Sequence, residues 1–356
     1  MNKINILDLE MGELKKEIEG LGEPAFRAKQ VWQWIYQGAE GFSEMTNLPK
    51  AFREKLEERF YVGGIRVVKR LISEKDGTRK YLFATADGKA VEGVLMKYNY
   101  GNSVCLSTQI GCRMGCSFCA STGLGIDRNL TAGEMLAQIL AIQRDTGERV
   151  SHVVLMGIGE PFDNYDNVMR FLRRLHSSDT LNISYRRMTV STCGLVPEIL
   201  RFTDEDLPVN LSISLHAPND TIRTAIMPIA KRYPFDKILA TCHIYTQKTG
   251  RRVTFEYTMM RGVNDADEHA QELGEKLSGL LCHVNLIPVN PVEGKSFSKS
   301  ARERIEAFQS ILEKHRIPVT IRRELGSDIL AACGQLRKNT IESDGMVDEF
   351  GIRCDQ

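Results

Sequence analysis

The sequence predicts an α/β protein: an open, partial barrel of about six strand–helix units, preceded by a small domain of helices and β-hairpins. Two observations carry this prediction. After Tyr100, apolar runs rich in β-formers alternate with helical segments, and such repeats imply a parallel sheet with right-handed crossovers. Before Tyr100, a helical period gives way to short strands separated by turn signals. A closed barrel of this kind needs eight units, so the sheet is expected to stay open.

The N-terminal region is predicted to be an accessory domain. Residues 25–36 carry apolar side chains at nearly helical spacing, and Pro49 lies near the first turn of a second predicted helix, residues 51–60. The apolar runs that follow are divided by Asp-Gly dipeptides at residues 76–77 and 87–88. Both dipeptides are typical of β-hairpin turns, so this region is expected to end in paired strands.

The barrel region is predicted to contain seven strands that alternate with six helices. Its first helix has a capping box, Thr131 with Glu134, and ends near Gly147. The predicted strands are residues 103–108, 150–156, 187–192, 209–215, 253–260, 283–288 and 319–325. The predicted helices are about residues 131–146, 165–177, 195–202, 235–249, 265–279 and 299–315. The predicted division is 1–95 for the accessory domain, 96–340 for the barrel and 341–356 for a C-terminal tail.

The composition is that of an ordinary water-soluble globular protein, with 42% hydrophobic and 26% charged residues. The sequence has no run of about 18 apolar residues that could span a membrane, and its N-terminus lacks a signal-peptide pattern. Nine cysteines without an export signal indicate reduced thiols. We therefore expect a cytoplasmic protein with no membrane partner. The net charge of +1 does not exclude nucleic acid, because a neutral protein can carry a basic face.

Each predicted barrel strand is followed by a polar or metal-binding segment. Parallel α/β folds collect their chemistry at the carboxyl ends of the strands, so these segments should face one another. Each alone has an ordinary explanation, because glycines make turns and serine hydroxyls satisfy nearby backbone groups. Their joint occurrence on one face favours a binding site. The segments are residues 112–119, 156–161, 191–194, 214–216, 261–265, 290–291 and Cys333.

Cys112, Cys116 and Cys119 form a C-x3-C-x2-C triplet in the loop after the first barrel strand. A structural zinc site takes four ligands, and an iron–sulfur cluster is usually held by four thiolates. Three local cysteines with no obvious fourth therefore indicate a cluster with one iron left open. The spacing resembles that of the radical S-adenosylmethionine (SAM) enzymes, in which the open iron binds SAM. A zinc knuckle and unligated thiols are the alternatives.

Motifs spread over residues 26–336 extend this resemblance to one family. The chain resembles the radical SAM RNA methyltransferases that modify an adenine. Within them it is most similar to the adenine-C2 enzymes, with the Cfr-type adenine-C8 enzymes as close relatives. One departure is an extra residue in the run Ala-Ser-Thr-Gly at 120–123, where the family pattern has Ala-Thr-Gly. The motifs are FRAKQVW at 26–32, MTNLP at 45–49, VEGVLM at 91–96, GCRMGCSFCA at 111–120, RNLT at 128–131, MGIGEP at 156–161, STCG at 191–194, SISLHA at 212–217 and RRxxGxDIxAACGQL at 322–336.

The resemblance implies roles for individual residues. The three clustered cysteines would hold a [4Fe–4S] cluster. Cys333 matches the cysteine that carries the methyl group, Cys105 matches the thiol that resolves the adduct, and Glu92 matches the proton acceptor. The positions that match SAM-binding residues are Gly159, Glu160, Ser191, Ser214, Leu215, His216 and Asn290.

The implied reaction explains why two cysteines far apart in sequence are needed. An electron-poor adenine carbon does not readily attack the electrophilic methyl group of SAM, so the reaction is divided into easier steps through a covalent intermediate. Cys333 takes a methyl group from SAM, and a radical from a second SAM activates that methyl for addition to adenine. Glu92 then removes the ring proton. The thiol of Cys105 attacks the Cys333 sulfur, leaving a disulfide that must be reduced.

The implied substrates are an adenine in the peptidyl-transferase region of 23S rRNA and the adenine next to the tRNA anticodon. An electron donor such as flavodoxin or ferredoxin is a further implied partner, and the chain is expected to act as a monomer. Residues 1–95 are expected to serve RNA binding. Three alternatives stay open: methylation at C8, a radical SAM reaction on a peptide or small molecule, and a zinc-dependent RNA-binding module without catalysis.

Overall fold

A computed structural model describes residues 3–122, 125–290, 292, 294–329 and 331. Its N-terminal segment holds three helices, and two short strands at the ends of this segment pair in parallel. The two helices predicted at defined positions are confirmed to within two residues. The elements are β1 (Ile4–Asn5), α1 (Met11–Gly20), α2 (Arg27–Tyr36), α3 (Lys50–Arg59) and β2 (Phe60–Tyr61).

The N-terminal helices share one continuous apolar core with the rest of the chain. Each helix buries side chains in this core, such as Val31 of α2, which is fully buried. At the junction between the N-terminal helices and the rest of the chain, the Asp8 carboxylate accepts a hydrogen bond from the Gly133 N–H at 2.8 Å. The Arg174 guanidinium donates to the Leu9 carbonyl at 2.7 Å. Removing the helical segment would therefore expose apolar surface of the remaining chain.

The predicted hairpin strands are present as antiparallel β3 (Ile65–Ile72), β4 (Arg79–Thr85) and β5 (Ala90–Tyr98). The two Asp-Gly dipeptides lie between them. β5 then pairs antiparallel with the first barrel strand, β6 (Gly101–Leu106). The hairpins therefore extend the main sheet. The predicted boundary at residue 95 falls inside β5, and the division into domains stays a prediction.

The barrel strands alternate with helices as predicted. β6 and the strands from β9 onward run parallel, whereas β7 and β8 pair with each other outside the main sheet. A short helix, α7, was not predicted. The strands are β7 (Gln109–Gly111), β8 (Ile126–Asn129), β9 (Val150–Leu155), β10 (Met188–Thr192), β11 (Asn210–Ser214), β12 (Val253–Met259), β13 (Cys282–Pro288) and β14 (Val319–Ile321). The helices are α4 (Ala132–Thr146), α5 (Tyr165–His176), α6 (Val196–Asp204), α7 (Asp220–Ile226), α8 (Phe235–Thr249), α9 (Asp267–Leu277) and α10 (Arg302–Lys314).

The main sheet has ten strands in the order β14-β13-β12-β11-β10-β9-β6-β5-β4-β3. Among the described residues its edge strands, β3 and β14, do not pair with each other, so the sheet is open, as predicted. Among the strands that are shorter than predicted, β14 differs most, since it ends at Ile321 instead of residue 325. The Arg322 N–H still donates to the Leu286 carbonyl at 2.8 Å, and the chain then leaves the sheet.

The helices beside the sheet begin and end at recognisable signals. Thr131 accepts a hydrogen bond from the Glu134 N–H, which confirms the predicted capping box of α4, and the helix ends at Gly147. In α5, Val168 and Leu172 are fully buried on one face of the helix, while Arg173 is exposed. No helix in the described part of the chain combines the length and apolar character needed to span a bilayer.

Candidate active site

The carboxyl ends of the parallel strands surround an open cavity of about 440 Å³. Parallel α/β folds bind their ligands at this position. Two of the sequence-predicted site residues are not seen on the cavity wall: Leu215 is fully buried without lining the cavity, and Cys333 lies outside the described residues. The structure brings the others together on this wall: Glu92, Cys105, Cys112, Cys116, Cys119, Gly159, Glu160, Ser191, Ser214, His216 and Asn290.

The three clustered cysteines lie in a loop that is held at its base by β7 and β8. At Gly111 the backbone φ is +82°, and a Cβ atom there would lie 2.1 Å from the Gly125 carbonyl oxygen. Glycine is therefore required at this close approach. On its other side, the loop is tied to α7, because the Ser117 N–H donates to the Ile226 carbonyl at 2.9 Å.

The extra residue after the third cysteine is accommodated by a turn with its own hydrogen bonds. The Ser121 N–H donates to Sγ of Cys119 at 3.4 Å. The Thr122 hydroxyl donates to the carbonyl oxygens of Cys116 and Cys119 at 3.0 Å and 2.8 Å. The additional residue therefore leaves all three cysteines on the cavity wall.

Burial sets the chemistry of these thiols. Loss of solvation raises the pKa of Cys112 to about 12 and also raises the pKa of Cys116, so a thiolate there needs a nearby positive charge. Among the described residues, no three His, Cys, Asp or Glu side chains converge on a single metal ion. Three thiols that line one cavity wall and need a nearby cation as thiolates suit an iron–sulfur cluster, in which separate irons each take one cysteine.

The turn after β9 packs against the end of β6. Gly159 has a φ of +109°, and a Cβ atom there would lie 2.7 Å from the Gln109 side chain. The buried Glu160 carboxylate accepts hydrogen bonds from the N–H groups of Phe162 at 3.0 Å and Cys193 at 2.8 Å. Burial nevertheless raises the pKa of Glu160. This carboxylate joins the segments that follow β9 and β10, so both are held in place around the cavity.

His216 follows β11 with its backbone in the left-handed region, at a φ of +56°, which is uncommon for a residue other than glycine. Its Nδ1 accepts a hydrogen bond from the Thr258 N–H at 3.0 Å. Burial lowers the pKa of His216 to about 3, so the imidazole is neutral near pH 7 and its proton is on Nε2. The side chain therefore offers an N–H donor to a ligand.

Hydroxyl and amide groups continue this polar wall. The hydroxyl oxygens of Ser191 and Ser214 lie 3.5 Å apart on the neighbouring strands β10 and β11. Asn290 is exposed directly after β13. Together with His216, these groups can donate to a carboxylate or bond to ribose hydroxyls.

The hairpin strands supply another wall of the cavity. Glu92 of β5 and Cys105 of β6 are diagonal neighbours, because Val94 is the direct partner of Cys105. Both residues are buried and line the cavity. Nζ of Lys80, on β4, lies 3.1 Å from Oε2 of Glu92. This wall therefore carries a buried carboxylate next to a thiol.

Two buried cations beside the cavity were missed by the sequence analysis. One is Lys80, whose only signal is a lysine within an apolar strand. The other is Arg223 of α7, which donates to the carbonyl oxygens of Cys193 at 2.6 Å and of Leu215 and Tyr233 at 3.2 Å each. Arg223 thereby ties together the segments that follow β10 and β11, and no local pattern indicates this role.

The segment after β14 crosses to the opposite edge of the sheet. The Gly326 N–H donates to the Asp76 carboxylate in the β3–β4 turn at 2.8 Å. Ala331 then lines the cavity. Cys333 follows two residues later in the sequence.

Two family models match the chain. The Radical SAM superfamily matches residues 106–273, and the ribosomal RNA large subunit methyltransferase N-terminal domain matches residues 4–62. A probable dual-specificity RNA methyltransferase RlmN from Alkaliphilus oremlandii is 52% identical, over 96% of this chain and 100% of its own. A protein of the same name from Clostridium acetobutylicum is 55% identical, over 95% of this chain and 98% of its own. The chain belongs to the RlmN family of radical SAM RNA methyltransferases.

A solved structure supports the radical SAM methyltransferase fold. The crystal structure of a radical SAM methyltransferase from Sphaerobacter thermophilus is 46% identical, with a TM-score of 0.90 over 93% of this chain and 98% of that chain. The predicted fold class is confirmed. The match to the N-terminal family domain covers the helical segment from β1 to β2.

Membership of the RlmN family decides between several of the alternative functions that the sequence left open. The protein is a SAM-dependent RNA methyltransferase and uses a [4Fe–4S] cluster together with SAM. The alternatives of a non-catalytic zinc module and of a peptide or small-molecule enzyme are therefore wrong.

Proposed function

We propose that this enzyme methylates C2 of an adenine in the peptidyl-transferase region of 23S rRNA, and of the adenine next to the anticodon in tRNA. One observation carries the proposal: Glu92, Cys105 and the three clustered cysteines line the same cavity as Ala331, two residues before Cys333. The dual specificity in the names of the relatives supports two classes of RNA substrate.

The three clustered cysteines would hold the [4Fe–4S] cluster, which when bound supplies the electron that cleaves SAM to a 5′-deoxyadenosyl radical. The residues around them would orient SAM. The glycine turn at Gly159 offers backbone carbonyls to its ammonium group, and Nε2–H of His216 donates to its oxygen atoms. The remaining proposed contacts are Glu160, Ser191, Ser214 and Asn290, whereas Leu215, which does not line the cavity, is not proposed as a contact.

Three residues of this chain would carry the methyl transfer. Cys333 takes the methyl group, which loses one hydrogen atom to the 5′-deoxyadenosyl radical. The remaining methylene carbon bonds to the target carbon, so enzyme and RNA become covalently joined. Glu92 accepts the proton that the ring carbon loses. The Cys105 thiolate then attacks the Cys333 sulfur: an S–S bond forms, the bond from sulfur to the transferred carbon breaks, and the product leaves with that electron pair and a proton.

The test is to trap this covalent complex. Cys105→Ala should accumulate bound to RNA, because it lacks the thiol that releases the adduct. Cys333→Ala should form no adduct, because it lacks the methyl carrier. Denaturing gels of each protein after reaction with RNA, SAM and a reductant separate these outcomes. Cys282→Ala removes a buried thiol that does not line the cavity, so it should turn over without an adduct. A Cys105→Ala enzyme that turns over normally would contradict the proposal.

The position of the methyl group is tested on the product. Nucleosides from the modified RNA, separated by chromatography against standards and identified by mass spectrometry, should include 2-methyladenosine. Finding 8-methyladenosine instead would overturn the C2 assignment and favour the C8 alternative. The contribution of residues 1–95 to RNA binding, the flavodoxin or ferredoxin donor, the monomeric state and the cytoplasmic location stay predictions.

A further inference from the structure

A buried ion pair lies at the group proposed to accept the ring proton. Nζ of Lys80 and Oε2 of Glu92 are 3.1 Å apart, and the two side chains are 0% and 5% exposed. Lysine is almost never fully buried unless it is paired, because its charge must leave water. Glu92 lines the cavity, whereas Lys80 does not. The lysine therefore lies behind the carboxylate, and Glu92 is the member of the pair that can contact a substrate.

Strand pairing places these two side chains together. In the antiparallel pair of β4 and β5, Leu82 is the direct partner of Glu92, and Val94 is the direct partner of Lys80. Lys80 and Glu92 are thus diagonal neighbours on one face of the sheet, a spacing that long side chains can bridge. The Ser107 hydroxyl also donates to the Glu92 carbonyl at 2.7 Å, which fixes the backbone at this residue.

A contribution to folding stability does not by itself explain why the Lys80–Glu92 ion pair is buried. Burying two charges costs desolvation energy that their attraction only partly offsets, and apolar replacements of such pairs are often neutral or stabilising. On the face of the sheet that carries Lys80, its neighbours along and across the strands include two apolar residues: the buried Leu82, two residues along β4, and Val94, its direct partner on β5. An apolar residue at position 80 would therefore suit this strand. A general base, in contrast, must lie within reach of the proton it accepts, and a fixed cation beside a buried carboxylate holds that carboxylate in one position.

Resting on the proposed role of Glu92, we propose that Lys80 is a positioning residue that holds the Glu92 carboxylate in place and directed toward the target carbon of adenine. When the ring C–H bond breaks, its electron pair stays with the ring and the proton moves to an oxygen of Glu92. The Lys80 ammonium group keeps its protons throughout and does not touch the substrate.

The test is a double-mutant cycle on the full-length enzyme loaded with its cluster. Lys80→Met should lower turnover by about 100-fold, the lower end of what a general base contributes. In a Glu92→Gln background the same substitution should change turnover by less than about two-fold, because no carboxylate is left to hold. Lys97→Met, at an exposed ion pair on the same hairpin, is the matched control and should leave turnover unchanged.

Three further readouts distinguish positioning from a structural role. Reductive cleavage of SAM does not need Glu92, so it reports folding and should stay within about two-fold of wild type in every variant. Deuterium on the target carbon of the RNA should reduce the turnover of Lys80→Met more than the turnover of the wild type, because proton removal has become the slowest step in the variant. Lys80→Arg keeps the positive charge and should recover part of the turnover.

The possible outcomes separate this inference from the proposed function. Full turnover in Glu92→Gln would overturn the role of Glu92 and this inference with it. Loss of turnover in Glu92→Gln, combined with full turnover in Lys80→Met, would overturn the inference alone. The inference would also fail if the effects of Lys80→Met and Glu92→Gln on turnover were fully additive. It would fail as well if Lys80→Met reduced SAM cleavage as much as it reduced methylation.

Discussion

Asp328 accepts a hydrogen bond from the Ser73 hydroxyl at 2.7 Å, although 255 positions separate the two residues in the sequence. Asp328 also accepts from the Glu74 N–H at 3.0 Å, and Asp76 accepts from the Gly326 N–H at 2.8 Å. These contacts fasten the segment that follows the edge strand β14 to the β3–β4 turn at the other edge of the sheet. The segment then continues to the cavity, so its attachment positions the chain that leads to the proposed methyl carrier.

The double variant Asp76→Ala with Asp328→Ala should lose this attachment. RNA methylation should fall by up to about 100-fold, the effect of a small misplacement of a reacting group. SAM cleavage should persist, because the cluster loop is untouched. Hydrogen exchange should also speed up at residues 326–329. Asp166→Ala, which removes an exposed pair with Arg201, should change none of these measurements. Unchanged exchange at residues 326–329 in the double variant would show that the contacts do not hold the segment.

Each of the three clustered cysteines should be necessary for the cluster. After anaerobic reconstitution the wild type should bind about four iron atoms per chain. Cys112→Ala, Cys116→Ala and Cys119→Ala should each abolish this binding, because each removes one thiolate ligand. Iron analysis and the visible absorbance of the cluster measure the outcome. Cys242→Ala, at a fully buried thiol away from the cavity, should retain a full cluster. A full cluster in any of the three loop variants would contradict the ligand assignment.

His216→Asn should flatten the pH dependence of stability. Burial holds the pKa of His216 at about 3, against 6.5 for the ordinary side chain. Between these values the unfolded chain binds a proton that the folded chain does not, so the wild type loses stability as the pH falls below 6.5. Asparagine does not titrate there and tolerates the left-handed backbone.

Urea unfolding at about pH 7.5 and about pH 5.5 measures this difference. The wild type should lose about 1.4 kcal/mol more than the variant over this interval. The variant also lacks Nε2–H, so its affinity for SAM should fall. Equal losses of stability in the two proteins would mean that His216 takes up its proton in the folded chain.

Gly133→Ala should weaken the junction between the N-terminal helices and α4. A Cβ atom on Gly133 would lie 2.6 Å from the Asp8 carboxylate and 2.7 Å from the Leu7 carbonyl carbon. Overpacking of this kind typically costs about 1–3 kcal/mol. At Gly12, inside α1, a Cβ atom meets nothing within 4 Å, so Gly12→Ala should be neutral or stabilise by about 0.5–1 kcal/mol. Equal unfolding midpoints in urea for the two variants would contradict a tightly packed junction.

Most of the fold and much of the candidate site could be predicted from local patterns. Helical spacing predicted α2, and Pro49 predicted the start of α3. The alternation of strands and helices predicted the open parallel sheet, because apolar periodicity follows directly from the geometry of each element. Once the sheet is parallel, the carboxyl ends of its strands must meet, which is why His216 and Ser191 were expected at one cavity. The early end of β14 was not predicted, because the chain leaves that strand for a partner that is remote in the sequence.

The sequence by itself determined the cluster loop and the order of the elements, since the spacing of three cysteines and the period of apolar residues are properties of neighbouring positions. Only the tertiary structure decided which remote side chains became partners. Lys80 meets Glu92 through the register of two strands, and Ser73 meets Asp328 because the segment after one edge strand reaches the turn beside the other edge strand. Burial decided that His216 is neutral. Each of these three features depends on the packing of segments far apart in the chain, which no local pattern specifies.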